Sequence, residues 1–281
     1  MAFTRPELER FAAKERDRFE ALLRDFVQIP SISADPGRQA DVERCAELGA
    51  ATIRAFGGRA DLHRVPGGNP IVLGSFDAGP ERPTVTVYNH LDVQPASKET
   101  EPWRSEPFTF TKQGGTYYGR GTTDDKGPAL TALFGARAAM EAGVPVNIKF
   151  LWELEEEVGS PHFADTLKKI GPAAATDAVV VSDTVWVSRG RPSLSAGLRG
   201  LQRITFHLET AETDQHSGTT GGAARNPVAE LCQLVAEMFD ARTGRVRIPG
   251  FYDDVEKLTK KQVEEFKAAG FSVKGFMKDH G

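Results

Sequence analysis

Four short segments of the chain carry side chains that can bind divalent metal ions. They are Tyr88–Asp92, Gly119–Gly127, Glu155–Ser160 and Val181–Asp183. Each follows a segment that the sequence predicts to be a buried strand, and strand ends in an α/β sheet place side chains in a shared crevice. Imidazole and carboxylate groups together suit a divalent cation such as Zn²⁺, and a carboxylate can bridge two cations. The four segments therefore predict a metal centre of the kind used for hydrolysis.

The first two segments are ambiguous when each is taken alone. His90 and Asp92 point the same way at a strand exit, so Asp92 can bond the imidazole nitrogen that does not face a metal. A surface histidine beside an aspartate is the alternative. Asp124 and Asp125 are adjacent in a glycine-flanked loop, where two carboxylates repel unless a cation compensates them. A solvated turn is the alternative there.

The last two segments also have ordinary alternatives. Glu155, Glu156 and Glu157 directly follow an apolar strand candidate, where carboxylates are costly unless they are paired or bound to metal. The alternative is that these glutamates form the acidic first turn of a solvated helix. Asp183 ends another apolar run and could be a plain strand-end aspartate or a helix cap. The conjunction of all four segments favours a metal centre.

Helices alternate with strands over the first two-thirds of the chain, which predicts an α/β layered domain with a mostly parallel sheet. The predicted helices span residues 6–28, 39–56, 127–142 and 161–170, and the predicted strands residues 60–64, 71–76, 84–89, 147–154 and 177–182, with a hairpin over 109–119. After residue 197 the pattern changes. Residues 200–210 alternate apolar and polar, which predicts a strand in a sheet with one exposed face, and a helix is predicted from Asn226 to Phe239. We therefore predict a catalytic domain over 1–197 and the beginning of a smaller α+β domain over 198–281.

As whole phrases, Gly119–Pro128 and Ala196–Gly200 resemble a family of dinuclear zinc amidohydrolases. The family includes carnosinase-like dipeptidases, glutamate carboxypeptidase, acetylornithine deacetylase and succinyl-diaminopimelate desuccinylase. The resemblance extends over nearly the whole chain and is closest to the dipeptidase branch. It implies that the smaller domain is a lid through which two subunits form a homodimer.

The resemblance implies a site for two Zn²⁺ ions, with Mn²⁺ or Co²⁺ as possible substitutes. His90 and Asp183 would bind one ion, Glu157 would bind the other, and Asp124 would bridge them. The peptide bond between Asp124 and Asp125 is expected to be cis.

The resemblance also implies catalytic roles. Glu156 would be the general base that takes a proton from water and passes it to the leaving amine, and Asp92 would orient His90. The base is assigned to Glu156 rather than Glu155 because the family's glutamate pair sits directly before a turn of small residues. His216 would reach the active site of a partner subunit and polarise the scissile carbonyl. A loop histidine with a local role is the alternative for His216.

Members of the resembled family are longer than this chain, and a late histidine completes their second metal site. On that basis the chain is expected to be an N-terminal portion, with Asp124 and Glu157 as its only ligands for the second ion. We therefore expect weak binding of about one metal ion, little dipeptidase activity, and self-association through exposed apolar faces. Four histidines lie in no matching motif: His63, His162, His207 and His280.

Three functions are consistent with the sequence. The first is a dipeptidase, the second is an N-acyl amino acid deacylase or desuccinylase, and the third is a non-catalytic remnant that binds one metal and dimerises.

The 281 residues carry a net charge of −4 without a basic block, which argues against nucleic-acid binding. No apolar run reaches membrane-spanning length, and the charged N-terminus favours a cytoplasmic protein. Cys45 and Cys232 are expected to be free thiols, although a disulfide stays open.

Overall fold

The computed structural model describes residues 3–184, 193–195, 197–198, 200–270 and 272–280. Its internal contacts divide the chain into two units, Met1–Val185 and Trp186–Gly281. The predicted domain boundary between residues 197 and 198 stays a prediction. Ala196 and Arg199, from the second phrase that carries the family resemblance, lie outside the described residues.

The first unit contains four α-helices and seven strands among its described residues. The helices are α1 (Arg5–Val27), α2 (Gln39–Ala55), α3 (Lys126–Glu141) and α4 (Phe163–Ile170). The strands are β1 (Arg59–His63), β2 (Ile71–Phe76), β3 (Thr84–His90), β4 (Thr111–Gln113), β5 (Thr116–Tyr118), β6 (Asn147–Glu153) and β7 (Ala178–Val181). Single 3₁₀ turns lie at Pro36–Arg38, Glu156–Val158 and Gly171–Ala174.

Five of these strands form one sheet in the order β1-β2-β6-β3-β7. β6, β3 and β7 pair in parallel, whereas β2 runs antiparallel to both β1 and β6. Four of the five strands therefore point the same way, which confirms the predicted α/β fold with a mostly parallel sheet. The carboxyl ends of β3, β6 and β7 lie at the same edge of the sheet. The sequence predicts that the metal-binding segments meet at such an edge.

Apolar faces of α1, α2 and α3 and the strands of the sheet form the core. Large side chains at its centre include Phe26 from α1, Ile53 from α2, Leu133 from α3, and Phe150 and Trp152 from β6, all essentially inaccessible to solvent. Burial of such side chains contributes roughly 1.5–3 kcal/mol each. The helices are thus fixed against the sheet, and α3 begins directly at the loop that carries Asp124.

The predicted hairpin is confirmed as β4 and β5, joined by Gly114 and Gly115. Both glycines have positive φ, 59° and 76°, as a two-residue turn between antiparallel strands requires. β5 is only half-buried, and Asp124 follows it after a further loop. The segment Gly119–Gly127 therefore follows a strand, as predicted, but the expectation that this strand is buried was wrong.

The expectation of a buried strand was also wrong for β7. All four of its residues are exposed, and Val179 keeps 59% of its surface accessible. Among the described residues β7 pairs with β3 alone, so it is an edge strand. A continuous apolar run indicates a strand that can be covered on both faces, but it does not show what covers it.

The second unit is built from short elements. They are α5 (Ser217–Thr220), α6 (Pro227–Met238), α7 (Lys260–Ala268), α8 (Val273–His280) and the paired strands β8 (Phe239–Asp240) and β9 (Arg245–Val246). α6 confirms the predicted helix, and the Asn226 side chain caps it by accepting from the Ala229 N–H at 3.1 Å. The predicted strand within residues 200–210 was wrong, because those residues form no helix or strand. Alternation supplies one apolar face, but a strand also needs a hydrogen-bonded neighbour.

Cys45 is buried, Cys232 is exposed, and both are free, as expected. No helix within the described ranges is long and apolar enough to cross a membrane.

Candidate metal centre

Three of the four predicted metal ligands meet at the carboxyl edge of the sheet. His90 is the last residue of β3, Asp183 lies two residues after the neighbouring β7, and Asp124 comes from the loop before α3. One ligand atom from each lies within 4.8 Å of the other two, and within the described part of the chain no other group of three acidic, cysteine or histidine side chains does this. His90 Nε2 is 2.9 Å from Asp124 Oδ1 and 3.7 Å from Asp183 Oδ2.

This donor set fits a divalent transition metal. One imidazole nitrogen and two carboxylate oxygens match the three protein ligands that catalytic zinc sites ordinarily have. His90 is 1% exposed, whereas the Asp124 and Asp183 side chains are 59% and 31% exposed. The group is therefore anchored from beneath by His90 and open to solvent on its carboxylate side, as a site that admits a substrate must be.

The hydrogen bonds of His90 determine which of its nitrogens can face a metal. Nδ1 lies 3.0 Å from the backbone oxygen of Asp92 and 3.5 Å from its Oδ1. Both atoms can only accept, so Nδ1 carries a proton and Nε2 is the ligand atom. The sequence predicted that Asp92 orients His90; the structure shows that its backbone carbonyl is nearer than its carboxylate.

The charge of the metal-free site is set by its carboxylates. Burial alone would lower the pKa of His90, but the hydrogen bond with Asp92 and the carboxylates of Asp92, Asp125 and Asp183 outweigh it and raise the pKa to about 10. Nε2 of the imidazolium therefore donates to Asp124 when no cation is bound. A metal ion that binds here displaces that proton.

Asp125 lies beneath the site and does not join the metal-binding group. Its Oδ2 accepts from Asn89 Nδ2 at 2.8 Å and from the His90 N–H at 3.2 Å, while Asn89 also donates to the Ser182 carbonyl. Burial raises the pKa of Asp125 to about 8. Asn89 thus links the strand ends that carry His90 and Asp183, a role that the sequence did not reveal. The peptide bond between Asp124 and Asp125 is cis, as expected.

The glutamate pair is attached to the same edge through the Asp92 carboxylate. Asp92 Oδ1 accepts from the Glu156 N–H at 3.3 Å, and Oδ2 accepts from the Glu157 N–H at 3.1 Å and from Ser33 Oγ at 2.6 Å. Asp92 itself is completely buried. Nothing in the sequence pattern pointed to Ser33, which lies in a proline-bearing turn after α1.

The two glutamates differ in their surroundings. Burial raises the pKa of the half-buried Glu156, and the nearby His90 opposes that shift. The Glu157 carboxylate accepts from Gln94 Nε2 at 2.8 Å and stays outside the group formed by the other three predicted ligands. The assignments of Glu156 as base and Glu157 as ligand stay predictions.

Glu155 is an anchor of the glutamate segment. It is 8% exposed, and it accepts from the Asn69 N–H at 2.8 Å and from His162 Nδ1 at 3.1 Å. His162, which matches no motif, therefore fixes the Glu155 carboxylate. A histidine seven residues after Glu155 carries no sequence signal for this contact.

The Asp124 loop is held by a buried lysine. Lys126 Nζ donates to the carbonyls of Phe26 at 3.0 Å and Ile29 at 2.7 Å, at the end of α1. Burial lowers the pKa of this lysine. The carbonyls at a helix C-terminus are suited to a cation, so Lys126 joins α1 to the start of α3.

His216 belongs to the second unit, and its hydrogen bonds with the described residues are all local. It is exposed, it precedes α5, and its Nδ1 accepts from the Gly218 N–H at 3.0 Å. Its predicted action on a partner subunit stays a prediction.

Comparisons with known proteins agree with this geometry. The family described as peptidase family M20/M25/M40 matches residues 86–273, a range that contains His90, Asp124 and Asp183. The chain belongs to this family. Over 98% of this chain it is 33% identical to the Beta-Ala-His dipeptidase of Rattus norvegicus. Over 88% of this chain it is 35% identical to the Cys-Gly metallodipeptidase dug1 of Schizosaccharomyces pombe.

Solved structures of the M20 family show the same fold. Human carnosine dipeptidase 1 superposes with a TM-score of 0.74 at 28% identity and covers 96% of this chain. The dipeptidase Dug1p from Saccharomyces cerevisiae does so with a TM-score of 0.75 at 29% identity and covers 94%. The chain spans only 54–59% of the length of these relatives.

Proposed function

We propose that this M20 chain carries the metal-binding part of an enzyme that hydrolyses the amide bond of dipeptides. The observation that carries the proposal is the convergence of His90, Asp124 and Asp183 at the carboxyl edge of the sheet, with the glutamate pair attached to that edge through Asp92. Membership of a peptidase family and relatives named as dipeptidases support it. Those relatives are named for different dipeptides, so the proposal extends to dipeptides as a class.

The residues have separate tasks in this proposal. His90, Asp124 and Asp183 hold a divalent cation, with zinc as the proposed metal. Such cations, when bound, supply Lewis acidity that lowers the pKa of water and polarises a carbonyl. Glu156 takes the proton of the attacking water and passes it to the leaving amine. Asp92 keeps the Nδ1–H form of His90 and holds the Glu156 backbone beside it.

A second cation and a second subunit belong to the same proposal. Glu157 and the bridging Asp124 would hold the second cation, and His216 would act on the substrate of a partner subunit in a homodimer. Since these two carboxylates are fewer than the usual three ligands, this chain by itself favours one bound cation. A cytoplasmic location is also proposed, supported by the two free thiols.

Metal content and hydrolysis can be measured together on the purified chain. After chelation, Zn²⁺, Mn²⁺ or Co²⁺ is added back, and bound ions and hydrolysis of β-Ala-His and Cys-Gly are compared with hydrolysis of N-acetyl amino acids. Asp183→Asn should lose metal and any hydrolysis. The control Asp165→Asn, on an exposed residue of α4 that pairs with Lys168, should lose neither.

The outcomes separate the candidate functions. Metal-dependent hydrolysis of dipeptides in preference to N-acetyl amino acids supports a dipeptidase, and the reverse preference supports a deacylase. Binding of one ion without hydrolysis by this chain, and also by a version extended to the length of its relatives, would contradict the enzymatic proposal. It would support the binding-only alternative, which is favoured because the described residues contain one complete group of three ligands and not two.

A further inference from the structure

The segment Ile29–Ser33, between α1 and α2, contacts the metal centre through two serines. Ser31 Oγ donates to the Leu91 carbonyl at 2.7 Å, and the Ser31 carbonyl accepts from the Val93 N–H at 3.0 Å. Ser33 Oγ donates to Asp92 Oδ2 at 2.6 Å. The segment therefore runs alongside Leu91–Val93, directly after His90, and no assigned function uses it.

The Ser33 hydrogen bond differs from the Ser31 bond in what it controls. Its acceptor is a carboxylate that can rotate, whereas the Leu91 carbonyl accepted by Ser31 is fixed in the backbone. The Asp92 carboxylate is buried, so its remaining partners are the backbone amides of Glu156 and Glu157 and the ring of His90. A hydrogen bond to a buried carboxylate is stronger than one between neutral groups. Loss of the Ser33 hydroxyl therefore leaves the Asp92 carboxylate, which contacts the other three residues, with one hydrogen bond fewer to hold it in place.

We propose that Ser33 is a positioning residue of the metal centre: its hydroxyl fixes the Asp92 carboxylate, which in turn fixes the backbone of Glu156 and Glu157 and the ring of His90. Only the expected effect of Ser33 on dipeptide hydrolysis rests on the proposed function. Its structural consequence, the order of the Glu156 and Glu157 amides, follows from the hydrogen bonds alone and holds with or without activity.

The two serines supply a matched pair of variants. Ser33→Ala removes the donor to Asp92. Ser31→Ala removes a donor of similar length from the same segment and leaves Asp92 untouched. Ser33→Thr keeps a hydroxyl at a position that is only partly buried. Both alanine variants should lower the thermal unfolding temperature, since each loses one hydrogen bond.

The deciding measurement is amide hydrogen exchange at Glu156 and Glu157 in the metal-free chain. Exchange at both amides should rise roughly tenfold in Ser33→Ala, stay within about twofold of wild type in Ser31→Ala, and return toward wild type in Ser33→Thr. Affinity for added Zn²⁺ should weaken in the same order, because the ring of His90 is less well fixed. Where dipeptide hydrolysis is measurable, kcat should fall in Ser33→Ala while KM stays within about twofold.

The proposal is overturned if exchange at Glu156 and Glu157 is unchanged in Ser33→Ala, or rises equally in Ser31→Ala. The second result would show that Ser33 contributes only general stability. Increased exchange and weaker Zn²⁺ binding, in a protein that hydrolyses no dipeptide even when it is extended to the length of its relatives, would uphold the role of Ser33 and contradict the proposed function instead. The two proposals are thus separable.

Discussion

Gln94 donates from one side-chain nitrogen to both the carboxylate and the backbone carbonyl of Glu157, at 2.8 and 3.0 Å. With the Glu157 N–H bonded to Asp92, the residue is fixed on both sides of its backbone and at its side chain. Glu156 has the same backbone support from Asp92, yet its carboxylate lies in the field of His90 and Asp183. Adjacent glutamates are thus held differently, which suits different roles.

Substitution of the two glutamates should separate those roles. Glu156→Gln should abolish dipeptide hydrolysis while the number of bound metal ions stays near wild type, because a proton acceptor need not be a ligand. Glu157→Gln should lower the number of bound ions as well. Metal analysis and hydrolysis are measured in a protein of the relatives' full length that carries these segments. Loss of metal from the Glu156 variant alone would mean that the two assignments are reversed.

Two glycines of α3 should respond to alanine in opposite directions. A Cβ at Gly127 would lie 2.0 Å from the Thr122 carbonyl oxygen, so Gly127→Ala must displace the loop that carries Asp124. We expect a loss of at least about 2 kcal/mol in the free energy of unfolding, together with weaker metal binding. A Cβ at Gly135, on the exposed face of the same helix, has open space around it. Gly135→Ala should raise the free energy of unfolding by about 1 kcal/mol.

Urea denaturation of the metal-free variants, followed by Zn²⁺ titration, checks this pair. Gly135→Ala also controls for any general effect of added helix propensity in α3. A Gly127→Ala variant that unfolds like wild type and binds Zn²⁺ normally would show that the loop can move aside without disturbing Asp124.

Elements that depend on a local sequence pattern could be predicted from the sequence. Helical periodicity located α1 and α2, and glycine pairs located the β4–β5 turn, because these signals depend on neighbouring residues. The family resemblance, together with the placement of the motifs at strand ends, predicted a group of four ligands, of which His90, Asp124 and Asp183 converge and Glu157 does not. By contrast, the exposure of β7 and the lack of a strand within residues 200–210 depend on which other segments pack against them, and a pattern within the segment does not specify that.

Residues that support the metal centre escaped prediction for a related reason. Ser33 and Asn89 act through hydrogen bonds to residues that are distant in sequence, 59 positions for Ser33 and Asp92 and 93 positions for Asn89 and Ser182. No periodicity or spacing encodes such a contact. Glu155 was visible as a costly carboxylate, but only the fold shows that backbone amides and His162 compensate it.

Glu155 should be more important for stability than for metal binding. Glu155→Gln replaces a carboxylate oxygen with an NH₂ group that faces the donors of Asn69 and His162. We expect a loss of about 1–3 kcal/mol in the free energy of unfolding, since at least one buried donor then lacks an acceptor. The control Glu141→Gln, in a surface pair with Arg137, should cost less than about 0.5 kcal/mol. Thermal denaturation with and without Zn²⁺ measures both effects, and equal losses in the two variants would contradict the anchoring role.

The stability of the metal-free chain should fall as the pH rises. The pKa of His90 is raised from 6.5 to about 10, where its hydrogen bond and nearby carboxylates outweigh burial, and burial raises that of Asp125 from 3.8 to about 8. A group whose pKa is raised by folding binds its proton more tightly in the folded state. Its contribution is therefore complete below the unfolded pKa and is lost as the pH rises through the folded pKa. The free energy of unfolding without metal should thus decrease from about pH 4 to pH 8 through Asp125 and from about pH 6.5 to pH 10 through His90.

Metal binding should show the opposite pH dependence, because the cation replaces the proton on His90 Nε2. Near pH 7 the binding of each Zn²⁺ ion should release about one proton from His90, and the apparent affinity should rise with pH up to about 10. Calorimetric titrations in buffers of different ionisation enthalpy count the released protons. His90→Asn should flatten the decline in metal-free stability above pH 7 and remove the proton release. Zn²⁺ binding by wild type with no proton release near pH 7 would show that His90 is already neutral in the folded chain.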